Sequence, residues 1–117
     1  MDSEAIRDLF APLGHVTIRR MFGGKGIYLN GLIIALEVDG ELLLKADELT
    51  APEFAAAGCA QWVYEGAMRK GKVAMPYWSI PDSAADDPDE LLPWARKAYE
   101  ASVRAQSTKK PKKKKPT

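Results

Sequence analysis

The sequence has 117 residues, 46% of them hydrophobic, and 17 basic side chains nearly balance 16 acidic ones to give a formal net charge of +1. A chain of this length forms one domain, and its longest purely apolar run, the five residues 32–36, is far shorter than the roughly 20 residues of a membrane span. One cysteine and one histidine exclude an internal disulfide and a Cys/His metal cage. The acidic start has no signal-peptide core behind it, so we expect a cytoplasmic protein without cofactor or metal.

Charge is unevenly distributed along the chain. Six lysines lie within the last nine residues, and without them eleven cations face sixteen carboxylates, which gives residues 1–104 a net charge of −5. Residues 105–117 contain no aromatic residue and no periodic pattern. We therefore predict a folded acidic domain over residues 1–104 and a disordered Lys/Pro-rich basic tail over residues 105–117.

The first predicted element is a short amphipathic helix. Its apolar residues recur at the i, i+3, i+4 and i+7 positions of one helical face: Ile6, Leu9, Phe10 and Leu13. Ser3 is a suitable N-cap for this helix. Because Pro12 disfavours helical geometry in the residue before it, we expect the helix to end near Phe10 or Ala11.

From Val16 onward the hydrophobic pattern has a period of two residues and predicts four strands. Asn30-Gly31 and Asp39-Gly40 each stand between runs rich in Ile, Leu and Val, which is typical of tight hairpin turns. Gly23-Gly24 is expected to bend or bulge the first strand pair. Since residues 32–36 are apolar at every position, we expect that strand to be central and helices to cover both of its faces. The predicted strands are residues 16–22, 26–29, 32–38 and 41–45.

A second helix and two further strands follow. Thr50-Ala51-Pro52-Glu53 matches a capping box, and Gly58 can end the helix that starts there. Residues 61–65 and 72–80 are the next extended segments, and Pro76 indicates that the later strand is an edge strand or is interrupted at that point.

The last predicted helix starts in an acidic cluster and runs to about Val103. It begins at Pro88 if Pro93 lies inside the helix, or near Glu90 if Pro93 lies in its first turn. The resulting order is α-β(3-4)-α-β(2)-α. We therefore predict the α+β class, with an antiparallel sheet flanked by helices.

Four segments, taken in order, resemble the N-terminal domain of the TfoX/Sxy family. They are Arg-Arg-Met-Phe-Gly-Gly-Lys-Gly-Ile-Tyr-Leu-Asn-Gly at residues 19–31, Leu-Leu-Lys-Ala-Asp at 43–47, Met-Pro-Tyr-Trp at 75–78 and Leu-Leu-Pro-Trp-Ala at 91–95. The resemblance implies an α+β domain of secretion-chaperone-like topology, often dimeric, in proteins named for regulating competence genes. It implies no catalytic residues. The residues that carry the motif and form a possible interaction surface are Arg19, Arg20, Met21, Phe22, Gly23, Gly24, Gly26, Tyr28, Lys45, Pro76, Tyr77 and Trp78.

Other candidate sites have simpler explanations. Gly23-Gly24-Lys25-Gly26 lies between strands and lacks the Gly-Lys-Ser/Thr and the helix of a phosphate-binding loop, so we interpret it as a structural bend. Arg19 and Arg20 are successive strand residues and are expected on opposite faces, which disfavours a basic-aromatic patch for nucleic acid. His15 and Cys59 have no catalytic partner in the sequence.

The sequence thus predicts a non-enzymatic interaction module, a possible transcription co-regulator or protein adaptor, that binds a protein partner or a second copy. The alternative is nonspecific nucleic-acid binding through the tail, because lysines neutralise phosphates without reading sequence. The residues for that contact are Lys109, Lys110, Lys112, Lys113, Lys114 and Lys115. A membrane role is disfavoured because no apolar anchor adjoins the lysines.

Overall fold

The structure, a computed structural model, describes residues 1–21, 23–64 and 73–114, the last seven of these by their backbone alone. Its elements confirm the predicted order of one helix, four strands, a second helix, two strands and a last helix. They are α1 (Ser3–Phe10), β1 (Thr17–Met21), β2 (Gly24–Leu29), β3 (Leu32–Val38), β4 (Glu41–Lys45), α2 (Ala51–Ala56), β5 (Gln61–Tyr64), β6 (Val73–Ser79), a 3-10 turn (Asp82–Ala84) and α3 (Pro88–Lys114).

The six strands form a single antiparallel sheet in the order β1-β2-β3-β4-β6-β5. The predicted α+β class is therefore confirmed. β3 and β4 lie in the middle of the sheet, as the apolar run of residues 32–36 indicated. The pairing of β4 with β6 joins residues more than thirty positions apart, and it brings the end of β4 beside Tyr77.

The two predicted hairpin turns have the expected backbone. Asn30 and Gly31 have φ angles of 53° and 81°, and Asp39 and Gly40 have φ angles of 50° and 82°. Two successive residues with positive φ match the right-handed twist of the strands that they join. Asn and Asp tolerate this region better than other side chains do, which explains why these dipeptides stand here.

Of the bend or bulge predicted at the glycine pair, the structure has the bend, in the connection between β1 and β2, and no bulge. β1 and β2 pair in regular register from Thr17 opposite Tyr28 to Met21 opposite Gly24, and Gly23 belongs to the connection, with a φ of 81°. The irregularity lies in the next pair instead, between Ile27 and Tyr28 of β2. Opposite these two residues Ile34 of β3 is the extra, unpaired residue, which lets the consecutive Ile34 and Ala35 enter the same apolar core.

The caps of the first two helices also differ from the predictions. Asp2, not Ser3, caps α1, since its Oδ1 accepts a hydrogen bond of 2.8 Å from the Ala5 amide. The capping box at Thr50 is not made, because the Thr50 hydroxyl accepts from the Asp47 amide at 3.1 Å and makes no cap hydrogen bond to α2. The Thr50 hydroxyl therefore binds the backbone amide of Asp47, four residues before α2, and not an amide in the first turn of α2.

β6 is neither an edge strand nor broken at its proline. It lies between β4 and β5 and runs without interruption from Val73 to Ser79. The register of β5 shifts from Gln61 opposite Trp78 to Val63 opposite Ala74, so Pro76 stands where the pairing with β5 is irregular. Because the pairing is irregular there, β5 requires no backbone N–H from residue 76, and the sheet tolerates a proline at this position.

α3 begins at Pro88, which selects one of the two starting points left open by the sequence. Asp87 Oδ1 accepts from the amides of Asp89 and Glu90 at 3.0 and 3.3 Å and so caps the first turn. The helix runs through Lys114, well past the expected end at Val103, and includes ten residues that we expected to be disordered. Residues 99–106 are mostly good helix formers, and lysines near a helix C-terminus favour the helix dipole.

All three helices pack on one face of the sheet, which we call the helix face. The core there combines Ile6 and Phe10 of α1, Phe54 of α2 and Leu91 of α3 with side chains of β2, β3 and β4. Phe54 is fully buried, and its ring centroid lies 4.9 Å from that of Trp94 and 6.3 Å from that of Trp78. This core contains most of the buried apolar residues that the structure describes.

Candidate interaction surface

The second face of the sheet, which we call the far face, has its own apolar cluster. Leu36, Leu43 and Tyr77 are 4–7% exposed, and partly buried apolar side chains pack around them: Ile33, Val38, Trp62 and Met75. Every described member of this cluster comes from a strand. The expectation that helices cover both faces is therefore wrong for this cluster, since none of its described members belongs to a helix.

Large side chains at the margins of the far face are exposed. Tyr64 is 50% exposed near one edge, and its ring centroid lies 5.9 Å from that of Trp62. Met21 is 39% exposed near the opposite edge. The far face therefore has one large exposed apolar or aromatic side chain near each edge, in β1 and in β5.

The strand register assigns the motif residues to the two faces. Six of them lie on the far face, because strand pairing places them on the same side of the sheet as Leu36 and Leu43: Arg19, Met21, Gly26, Tyr28, Lys45 and Tyr77. Arg20 and Trp78 lie on the helix face, and Trp78 packs against its core. Arg19 and Arg20 thus do not form one patch, as strand alternation predicted. Pro76 lies in β6 on the parity of Trp78, and Phe22 lies outside the described residues.

Two glycines of the motif are needed for close approach. A Cβ atom on Gly24 would collide with the backbone carbonyl of Glu37 in β3. A Cβ on Gly26 would stand 3.0 Å from Met21 Cε and 3.1 Å from Tyr28 Cε1, so the absence of a side chain lets these neighbours converge on the far face. Packing therefore explains both glycines without a bound phosphate.

The far face carries charges of both signs around its apolar centre. The Arg19 guanidinium lies over the Tyr28 ring at 5.6 Å from its centroid, a cation–π distance. Lys45 pairs in register with Tyr77, and Glu41 pairs with Val38 at the other end of β4. Burial, and to a lesser degree the nearby Tyr28, raise the pKa of the Tyr77 hydroxyl, which stays protonated at neutral pH.

The candidates for nucleic-acid contact are only partly described. Lys109, Lys110, Lys112, Lys113 and Lys114 lie in the last turns of α3, and Lys115 lies outside the described residues.

The residues weighed for catalysis lie apart from the far face. His15 is exposed in the α1–β1 connection, and Cys59 is half-buried after α2, where burial raises the pKa of its thiol. Across residues 1–21, 23–64 and 73–114, no three His, Cys, Asp or Glu side chains are grouped so that they could hold a metal ion. In the same residues no helix is long and apolar enough to cross a membrane.

The sequence analysis does not single out Leu36, Leu43 or Trp62, which belong to or pack against the far-face cluster. Leu-Leu-Leu at residues 42–44 is a usable signal, because an apolar run in a strand requires burial on both faces. The convergence of Tyr28, Lys45 and Tyr77 has no such local signal, since it depends on the pairing of β4 with β6.

Comparison with known families agrees with this architecture. Residues 8–102 match the model of the TfoX N-terminal domain, from within α1 to the middle of α3. The match therefore includes both faces of the sheet and every described strand. A search for similar curated proteins gives no match to this chain.

Proposed function

Because the chain belongs to the TfoX N-terminal domain family, we propose that it is a competence-regulator-like interaction module that acts by binding and not by catalysis. The observation that carries this proposal is the exposure of Met21 and Tyr64 at the two edges of the far face, on either side of a buried apolar cluster built from strand residues. Apolar and aromatic surface of this kind is typical of protein interaction sites.

The occupant that fits this surface best is a second copy of the chain. In a two-fold contact a charged residue is best placed opposite a complementary residue of the same surface, and the far face has Arg19 as well as Glu41. Six strands at about 4.8 Å spacing make a face roughly 24 Å wide, comparable with one side of a standard protein interface. In this proposal the dimer is the form of the protein that acts as a transcription co-regulator or adaptor.

Sedimentation velocity of the full chain tests this proposal. Tyr64→Glu and Met21→Glu each place a charge on an exposed far-face position, so neither variant should disturb the buried core. We expect the unsubstituted chain to dimerise at micromolar concentration and both variants to dissociate at least about tenfold more readily, since a buried unpaired charge is costly in an interface.

Leu49→Glu is the matched control. Leu49 is 62% exposed in the connection before α2, away from the far-face cluster, and its substitution should leave the dimer intact. A monomeric unsubstituted chain at all concentrations contradicts self-association. A dimer that Leu49→Glu disrupts and Tyr64→Glu does not would place the interface elsewhere.

The lysine-rich end supports a second function, nonspecific nucleic-acid binding. Residues 105–117 contain six lysines and no acidic side chain, and α3 continues as a helix through Lys114, so the positive charge is carried away from an acidic body. Six phosphate contacts would give a slope of about −5 for log K against log salt concentration.

Fluorescence anisotropy of labelled DNA at two salt concentrations tests this second function. Replacing the six lysines with glutamine in the full chain should abolish binding and its salt dependence. Arg19→Gln, which removes a cation of the far face, should leave both unchanged. Equal binding by the lysine variant would exclude the tail as the contact.

A further inference from the structure

β1 is one of the two edge strands of the sheet, and one side of its backbone is open. It pairs with β2 in regular register from Thr17 to Met21, and four of its five residues are exposed. Since the residues of an antiparallel strand direct their N–H and C=O groups alternately to opposite sides, every second residue of β1 points these groups away from β2. In the described residues no turn, cap or connection forms a backbone hydrogen bond with β1. The strand therefore offers main-chain donors and acceptors to one more strand.

This edge is positively charged, although the domain as a whole is acidic. Residues 9–36 contain no Asp or Glu, whereas the whole chain has 16. Arg19 and Arg20 are both exposed, Arg19 on the far face and Arg20 on the helix face. Among the described residues neither arginine forms an ion pair, and the Arg19 guanidinium contacts only the ring of Tyr28. Both faces of the edge therefore attract negative charge.

The neighbouring strands do not neutralise Arg20. The residue opposite it in β2 is Lys25, a second cation. Glu37 of β3 is next in the same row, but it is buried and its carboxylate accepts from a backbone amide of the β3–β4 turn. Because like charges opposite each other weaken a strand pair, an anion on the open side of Arg20 would be favourable.

An acidic peptide fits this edge better than a second copy or a nucleic acid does. Arg19 is the central residue of β1, so antiparallel pairing of two copies of the strand would bring four guanidinium groups together. The phosphates of a nucleic acid would attract the arginines, but they have no N–H group to donate to the open carbonyls of the strand. An extended peptide supplies carboxylates together with main-chain donors and acceptors.

We propose that β1 binds an extended acidic segment of a partner protein as an additional antiparallel strand. Two consecutive carboxylates of the segment lie on opposite faces of the sheet and meet Arg20 and Arg19, since strand residues alternate. The apolar residues that flank them lie beside Met21 and Ile18. Main-chain hydrogen bonds hold the segment, and the two guanidinium groups fix its register. This edge is separate from the far-face contact between copies and does not require it.

Fluorescence anisotropy of a labelled peptide with the full chain tests the proposal. The probe contains Val-Glu-Glu-Val-Thr, which in antiparallel pairing places its glutamates opposite Arg20 and Arg19. We expect a Kd on the order of 100 µM, and about tenfold weaker binding when both glutamates are replaced with glutamine. No binding of the glutamate probe at about 1 mM chain, or equal binding of both probes, would overturn the proposal.

Methylation of the peptide backbone distinguishes strand addition from simple attraction of charge. One probe is N-methylated at the first and third residues of Val-Glu-Glu-Val-Thr and a second probe at the second and fourth. Only one of these sets faces β1, so one probe should lose binding and the other should keep it within about threefold. The lysines near the end of the chain attract both probes equally. A loss with both probes, or with neither, would overturn strand addition.

Variants of the chain locate the contact. Arg19→Gln and Arg20→Gln should each weaken binding about threefold, the effect of an exposed ion pair, and the double variant about tenfold. Arg96→Gln is the matched control, because Arg96 is an exposed arginine of α3 and its loss should change nothing. Unchanged affinity of the double variant would place the peptide elsewhere. Tyr64→Glu, which should separate the far-face dimer, should keep the affinity within about twofold, so the two proposals can fail independently.

Amide hydrogen exchange of the unsubstituted chain identifies the strand even if an arginine variant fails to fold. Saturating probe should slow the exchange of alternate amides within residues 17–21. The amides of β5, the other edge strand, serve as the internal control and should be unchanged. Protection of β5 and not of β1 would overturn the proposal.

Discussion

Asp47 joins three parts of the fold through one carboxylate. It accepts from the amides of Leu49 and Thr50 at 3.1 and 3.2 Å before α2, and from Arg104 of α3. Its side chain is 26% exposed, so solvent screens these interactions only partly. The hydrogen bond from Arg104 is the largest cause that lowers the pKa of Asp47 from 3.8 to about 2, with the two backbone amides acting in the same direction.

This lowered pKa predicts a loss of stability in acid. The folded state favours the charged carboxylate, so its contribution is complete above the unfolded pKa of 3.8 and is lost as pH falls from about 4 to about 2. Asp47→Asn should lower the free energy of unfolding by up to about 2 kcal/mol at pH 7 and by little at pH 2. Urea unfolding at both pH values measures this. Glu48→Gln, an exposed neighbour, is the control, and a loss for Asp47→Asn that is equal at both pH values would contradict the assignment.

At the scale of elements, α2 depends on one side chain. The helix has six residues, too few to be stable alone, and Phe54 is its only buried residue. Phe54→Ala should lower the free energy of unfolding by about 3–4 kcal/mol, because it leaves a cavity between Trp78 and Trp94. Leu49→Ala, which removes a large but 62% exposed apolar side chain nearby, should cost less than about 0.5 kcal/mol. A similar loss for both variants in urea unfolding would mean that burial does not set the cost.

The elements show which features a sequence can predict. Asn30-Gly31 and Asp39-Gly40 specify their turns locally, because few residues tolerate positive φ, and the strands between them follow. The cap of α2 could not be predicted, since Thr50 has two possible partners and the nearby Asp47 amide wins. The prediction of an edge or interrupted strand at Pro76 failed because the register shift of β5 accommodates the proline, and that shift depends on the pairing of β5 with β6.

The candidate surface was predictable only in part. Alternation along β1 separated Arg19 from Arg20, but it could not tell which of them joins the far face. The packing of α3 on the sheet includes the hydrogen bond from Ser102 to the Ile33 carbonyl, and these two residues are 69 positions apart in sequence. A contact between residues so far apart has no local signal in the sequence.

For the whole molecule, the two faces share one sheet but differ in what covers them. The core of the helix face contains residues of three helices, whereas the described cluster of the far face contains only strand residues. Leu36 and Ala35 are neighbours in β3 and belong to different clusters. Both clusters therefore depend on the same central strands, β3 and β4. Unfolding of these strands disrupts the packing on both faces at once.

This shared sheet predicts a single cooperative unfolding transition, which the three tryptophans can test. Trp78 and Trp94 pack against the core of the helix face and Trp62 against the far-face cluster. A Trp62→Phe variant reports the helix face by fluorescence, and a Trp78→Phe/Trp94→Phe variant reports the far face. In each variant the urea midpoint by fluorescence should equal the midpoint by circular dichroism. A Trp62 signal that unfolds before the circular dichroism signal would mean that β5 and the far-face cluster form a separate, weaker unit, because Trp62 lies in the edge strand.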